Sequence, residues 1–193
     1  MTIPLSLSEL CLRVDAGDKY SYLYFWGHRP HPKGIASNSC FSQWYVSPFE
    51  YDGVQYMTAE HFMMAQKARL FGDTSTLDRI LKASSPAAAK ALGREVSGFE
   101  QNLWETHRFE YVVRGNLAKF EAHNEMAEFL LKTGNKVLVE ASPVDSIWGI
   151  GLAAEDEKAQ DPSKWQGLNL LGFALMAVRE RLLAKIEGTN RSP

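Results

Sequence analysis

Hydrophobic residues recur along this chain in two rhythms, and each change of rhythm marks an element. Residues 20–26, YSYLYFW, form a short aromatic-dense run that predicts a buried strand ending at Gly27. The next stretch, HRPHPKGIASNS, holds two prolines, Gly34 and small polar residues, which predicts an irregular loop bearing His28, Arg29, His31 and Lys33. Residues 41–46 and 49–51 read as strand pieces around Pro48, and Asp52-Gly53 ahead of residues 54–56 predicts a tight hairpin. At Thr58 the pattern turns helical: TAEHFMMAQKARLF has Thr58 as its N-cap and a stop near Gly72. Further helices are expected over residues 77–82, over 86–94 with Ser85 as N-cap, over 100–122, and from Asn124 to a stop at Lys132 and Gly134. Residues 136–140, KVLVE, predict a strand, residues 148–166 a long loop without sustained period, and residues 169–186 a final amphipathic helix. The sum is an α+β chain, a mainly helical single domain with a small β element.

Composition narrows the class without changing that outline. A chain of 193 residues, 45% hydrophobic and 23% charged, suits one soluble core and argues against disordered, collagen-like and disulfide-scaffold proteins. The expected division is an extension over residues 1–19, one domain over 20–187 and a tail over 188–193. A net charge of -2 provides no long-range attraction for a polyanion, so nucleic acid would bind only through a local patch. The two cysteines, Cys11 and Cys40, lack metal or redox spacing and read as free thiols. No segment reaches the ~18 apolar residues of a membrane span, and the start of the chain, interrupted by Pro4, Glu9 and Arg13, is a poor secretory signal. A cytoplasmic location without a membrane partner follows by elimination.

Three ordered stretches are more specific. They are FSQWYVSPFEYDGVQYMTAEHFMMAQKARLFGD; SSPAAAKALGRE continuing to NLWETHR; and LVEASPVDSIWGIG, with NLLGFALMAVRERL closing the chain. Together they resemble the NADAR family, the YbiA-like N-glycosidases, over about residues 24–183. The resemblance implies a helix-rich α+β fold with a cleft for ribose phosphate or ADP-ribose. It also implies cleavage of the bond between ribose C1′ and a base nitrogen. Some members act on early riboflavin-pathway intermediates, and others remove ADP-ribose from guanine in DNA. By motif, the catalytic glutamate falls on Glu60, a tryptophan on Trp104, and the acidic-Trp-Gly segment on Asp145, Trp148 and Gly149. The HRPHPKG stretch and residues 153–166 depart from the shorter bacterial members, and loops of this kind commonly set substrate choice.

The residues themselves support parts of this. An oxocarbenium-like transition state calls for an anion near C1′, a base for water and a way to stabilise the departing base. Glu60, rigid at a helix start, meets the first two needs; the competing reading is a glutamate that only complements the helix dipole. Lys67 follows two turns later, about 10 Å along the same face, and reads as a phosphate clamp, an amine nucleophile or a plain surface lysine. Asp145 either orients sugar hydroxyls as a second catalytic carboxylate or builds a turn. Trp104 and Trp148 are stacking surfaces or core, and Gly149 and Gly151 allow a close backbone approach. Trp26, Gly27, His28 and Lys33, with Arg29 and His31, form a candidate cleft wall and phosphate-binding loop. His61 reads as structural rather than substrate-binding, and Arg94 and Arg108 as salt-bridged surface residues.

No His, Cys or carboxylate cluster has metal spacing, and neither GxGxxG nor a P-loop occurs, so no metal and no cofactor is expected. The expected partner is a small nucleotide-like substrate, a phosphoribosylamino pyrimidine first. The alternative is guanine-linked ADP-ribose in single-stranded or modified DNA. An alternative of another class is a non-catalytic module that binds NAD or ADP-ribose.

Overall fold

The computed structural model describes residues 3–189. In chain order its elements are α1 (Leu7–Asp15), β1 (Tyr22–Phe25), β2 (Phe49–Tyr51), β3 (Val54–Tyr56), α2 (Ala59–Leu70), α3 (Thr74–Leu81), α4 (Pro86–Arg94), α5 (Gln101–Glu121), α6 (Asn124–Leu131), β4 (Val137–Glu140) and α7 (Leu170–Thr189). They divide between two compact units: unit 2 spans Gln43–Asn124, and unit 1 is built from the chain before and after it.

Unit 1 centres on a parallel pair, β1 with β4, in the register Tyr22↔Val137 to Phe25↔Glu140. Helix α7 covers β4, whose Val137, Leu138 and Val139 are wholly buried. The edge of β4 turned away from β1 is closed by a side chain. Asn169, in a left-handed conformation (φ 54°), accepts the Glu140 N–H at Oδ1 (2.9 Å) and donates from Nδ2 to the Leu138 carbonyl (2.9 Å). An amide can serve as a strand edge because it offers one donor and one acceptor at backbone spacing.

In unit 2 α2 is enclosed by α3, α4 and α5, and the β2–β3 hairpin lies against α5. Asp52 (φ 50°) and Gly53 (φ 73°) both take positive φ, as a type I′ hairpin turn requires. The hairpin delivers Tyr51 and Tyr56 to the Phe62 ring of α2, each with 5.1 Å between centroids. Helix α5 meets the same ring at Gly115, where a Cβ would fall 2.4 Å from Phe62 Cδ1.

The mainly helical α+β class agrees with expectation, and so do the hairpin, the Thr58 and Ser85 caps and the parallel strands' locations. Residues 41–46 do not form a strand. Asn38–Phe41 is a 3-10 turn in which the Cys40 N–H bonds the Ser37 carbonyl and the Ser42 N–H the Ser39 carbonyl. Local bonds satisfy this backbone in place of a ladder partner. Helix α1 was not anticipated in the extension over residues 1–19. It carries a capping arrangement: Ser6 Oγ accepts the Glu9 N–H, and Glu9 Oε2 accepts the Leu5 N–H. Of the expected tail, residues 190–193 lie outside the described residues, and α7 continues through Thr189.

Candidate active site

Thr58 decides where Glu60 stands. Its Oγ1 accepts the His61 N–H, starting α2 at Ala59 and putting Glu60 in the first turn. The Glu60 N–H, one of the donors a helix start leaves without an intrahelical acceptor, bonds the Gln43 carbonyl at 3.0 Å. Both Glu60 (3% exposed) and His61 (2%) are buried, although α2 belongs to a chain with charged residues to spare for its surface. A buried carboxylate is costly, and where it persists it usually has chemistry to perform.

Lys67 lies in the same unit, further along α2. Its Nζ donates to the Gly93 carbonyl (2.7 Å) and stands over the Phe99 ring, 4.1 Å from the centroid, with Trp104 at 5.9 Å. Burial pushes the Lys67 ammonium below its ordinary range, while the carbonyl and the ring faces favour the charged form. Lys67, read from its spacing after Glu60, and Trp104, read from the family motif, therefore share one aromatic corner with Phe99. Arg108 is buried and lies 3.7 Å from Glu105, whereas Arg94 is exposed.

The other expected residues belong to unit 1, where strand direction groups them. Because β1 and β4 are parallel, both chains leave the sheet at the same end, the usual place for a ligand in parallel sheets. Trp26, Gly27, His28 and Lys33 follow β1, and Asp145, Trp148 and Gly149 follow β4. Trp26 is 62% exposed, and His28, Arg29 and Lys33 are exposed with it; the Lys33 N–H bonds His31 Nδ1 at 3.2 Å.

Asp145 builds a turn: Oδ1 accepts the N–H groups of Ile147 (2.9 Å) and Trp148 (2.8 Å). The close approach at Gly149 is made by the chain itself, since a Cβ there would meet the Glu140 carbonyl at 2.8 Å and that of Asp145 at 2.9 Å. Residues 146–150 and 166–171 are laced together by main-chain bonds such as Asn169 N–H to Gly149 C=O (3.0 Å) and Leu171 N–H to Trp148 C=O (3.1 Å). This loop is rigid scaffolding that presents the half-buried Trp148 and the exposed Val144 and Ile147.

Sequence reading passed over three residues that the geometry brings forward: Gln43, which holds Glu60; Asn116, which holds Gln43; and Phe99, which underlies Lys67. For Gln43 the available signal was a polar residue inside the aromatic run FSQWY.

Fold and geometry define a helix-rich α+β protein with a buried carboxylate in the first turn of a helix. The NADAR domain model matches residues 24–183, and the chain belongs to the NADAR family. It is 42% identical over 164 residues to an N-glycosidase of Acanthamoeba polyphaga mimivirus, covering 82% of this chain and 95% of that one. It is 34% identical over 142 residues to N-glycosidase YbiA of Escherichia coli, covering 74% and 80% respectively. The NMR structure of E. coli YbiA superposes with a TM-score of 0.68 at 28% identity, covering 91% of this chain and 92% of that one. The expected kinship holds, and with it the class of hydrolase that acts on N-glycosyl bonds. No helix among the described residues is long and apolar enough to cross a membrane.

Proposed function

We propose that this protein hydrolyses the bond between ribose C1′ and a base nitrogen in a nucleotide-like substrate, with Glu60 as the central catalytic group. The observation that carries this reading is the buried Glu60 carboxylate, fixed in the first turn of α2 by the Thr58 cap and the Gln43 carbonyl. The C1′–N bond breaks with its electron pair passing to the nitrogen, and Glu60 stabilises the oxocarbenium-like centre that develops. A water oxygen bonds to C1′, its proton passes to the Glu60 carboxylate, and from there it reaches the departing base. Lys67, held as an ammonium by Gly93 and Phe99, anchors the phosphate of the substrate, and Trp104 supplies a stacking face. Asp145 shapes the loop that carries Trp148, its Oδ1 accepting from the Ile147 and Trp148 N–H groups.

The preferred substrate is a phosphoribosylamino pyrimidine of riboflavin biosynthesis, in keeping with a net charge of -2. A second reading, release of ADP-ribose from guanine in DNA, is favoured by the exposed Trp26 followed by Arg29 and Lys33. The experiment is to incubate the protein separately with the ribosylamino intermediates and with a guanine-ADP-ribosylated oligonucleotide, following products by mass spectrometry. Base release from the intermediates supports the first substrate, and release from the oligonucleotide alone reverses the order. Glu60→Gln should abolish release while leaving ligand affinity within about tenfold, as for a group that acts on the transition state. Full turnover by that variant would remove Glu60 from the mechanism; a binding module, which needs no such carboxylate, would show affinity without turnover in both forms.

A further inference from the structure

Next to Glu60 lies an amide pair whose hydrogen-bonding capacity is half used. Gln43 is 6% exposed and Asn116 of α5 is wholly buried. Asn116 Nδ2 donates to the Val112 carbonyl (2.9 Å) and to Gln43 Oε1 (2.7 Å). The Val112 carbonyl can only accept, so Asn116 must present its nitrogen on that side, and Gln43 must turn its oxygen toward Asn116. The orientation of both amides is thereby fixed, with Gln43 Nε2 facing away from Asn116. Gln43 Nε2 and Asn116 Oδ1 are buried and have no hydrogen-bond partner among the described residues. Buried amide groups left in this state cost free energy, which a ligand supplying the missing partners would recover. The residue carrying the donor also accepts the Glu60 N–H at its own carbonyl (3.0 Å), so donor and carboxylate sit on two residues joined by a main-chain bond.

We propose that Gln43 orients the substrate, its Nε2 donating to a hydroxyl of the ribose whose C1′ bond is broken at Glu60, and that Asn116 is the positioning residue that aims this amide. This rests on the N-glycosidase reading of Glu60. A hydroxyl is the neutral group suited to the place: it accepts from Nε2 and still has a proton to give to a neighbouring acceptor. A phosphate would bring charge into a neutral amide environment with no cation in the pair. Hydrogen bonds to sugar hydroxyls that strengthen as C1′ gains positive character also assist the reaction directly.

The test compares ribo, 2′-deoxyribo and 3′-deoxyribo forms of the N-ribosyl substrate that the wild-type protein turns over, using wild type, Gln43→Met and Asn116→Leu. Met keeps the length of Gln without its donor. The expected result is that wild type prefers the ribo form over one deoxy form by about 10- to 100-fold in kcat/KM, and that Gln43→Met reduces this preference to within about twofold. Asn116→Leu should weaken the same preference, and the double variant should discriminate no less than Gln43→Met alone. Preference is a ratio within one preparation, so a smaller folded fraction in a variant cancels. Wild type that does not distinguish the three sugars overturns the proposal without any variant, as does an undiminished preference in Gln43→Met. If no N-ribosyl substrate is turned over, the catalytic reading fails separately. The donor is then read by calorimetry as the affinity for ribose 5-phosphate against 2-deoxyribose 5-phosphate and 3-deoxyribose 5-phosphate. Equal binding of all three overturns it.

Discussion

His61 is held in its neutral form from both sides of the ring. Its Nε2 lies 3.1 Å from the Ala83 carbonyl, which can only accept, so Nε2 carries the proton and Nδ1 accepts from Thr58 Oγ1 at 2.8 Å. Burial lowers its pKa from the ordinary histidine value, with the Ala83 carbonyl opposing more weakly. The unfolded chain therefore takes up a proton at this ring before the folded chain does. The stabilisation is complete above the unfolded pKa of about 6.5 and is lost as pH falls below it. Calorimetric Tm measured from pH 8 to pH 5 should drop more steeply for wild type than for His61→Gln, and parallel profiles would refute this origin of the slope. The same residue-scale view shows what sequence could and could not reveal. The place of Glu60 in a first helical turn was legible because a cap residue and a change of period mark a helix start, while its catalytic role was implied by the family resemblance. Gln43 and Asn116 were not, because their interest lies in unfilled hydrogen-bond valences, which no spacing encodes.

At the scale of elements, the decisive joint is between α7 and β4. Asn169→Ala would leave the Glu140 N–H and the Leu138 carbonyl buried without their partner and would place alanine at φ 54°. A loss of roughly 2–5 kcal/mol is expected from the unsatisfied groups and the strained backbone, measured by urea denaturation. A loss below about 1 kcal/mol would mean that the amide is dispensable as a strand edge. Most helices were readable from caps and periodicity, since Thr58 and Ser85 act locally. The strand expected at residues 41–46 failed for a tertiary reason. Its aromatic residues suit a sheet, but the backbone bonds over Ser37–Ser42 close on themselves, and Phe41 goes instead to Phe25 (5.5 Å) and Phe129 (5.4 Å). Helix α1 was also encoded locally, by the Ser6 and Glu9 cap and by apolar Leu7, Leu10, Cys11 and Val14 at helical spacing.

For the whole molecule, a net charge of -2 means that any grip on a long anion must be local. The segment from Trp26 to Lys33 is the place to look for it: an exposed indole followed by exposed Arg29 and Lys33 matches the combination of stacking and phosphate contact used for single strands. If the oligonucleotide is a substrate, replacing Arg29 and Lys33 together by Ala should raise KM for it severalfold at low salt and leave KM for a mononucleotide unchanged. The difference should shrink as salt is raised. An equal effect on both substrates would assign this loop to the pocket rather than to a strand. The parallel pairing of β1 with β4 also dictates an order of assembly. Tyr22 must wait for Val137, and all of unit 2 is made between them. At about 5–20 residues per second of synthesis, β1 stands without its partner for on the order of ten seconds. Unit 2, an uninterrupted stretch rich in local helical contacts, can close first, which makes the discontinuous sheet the late and slower step of folding.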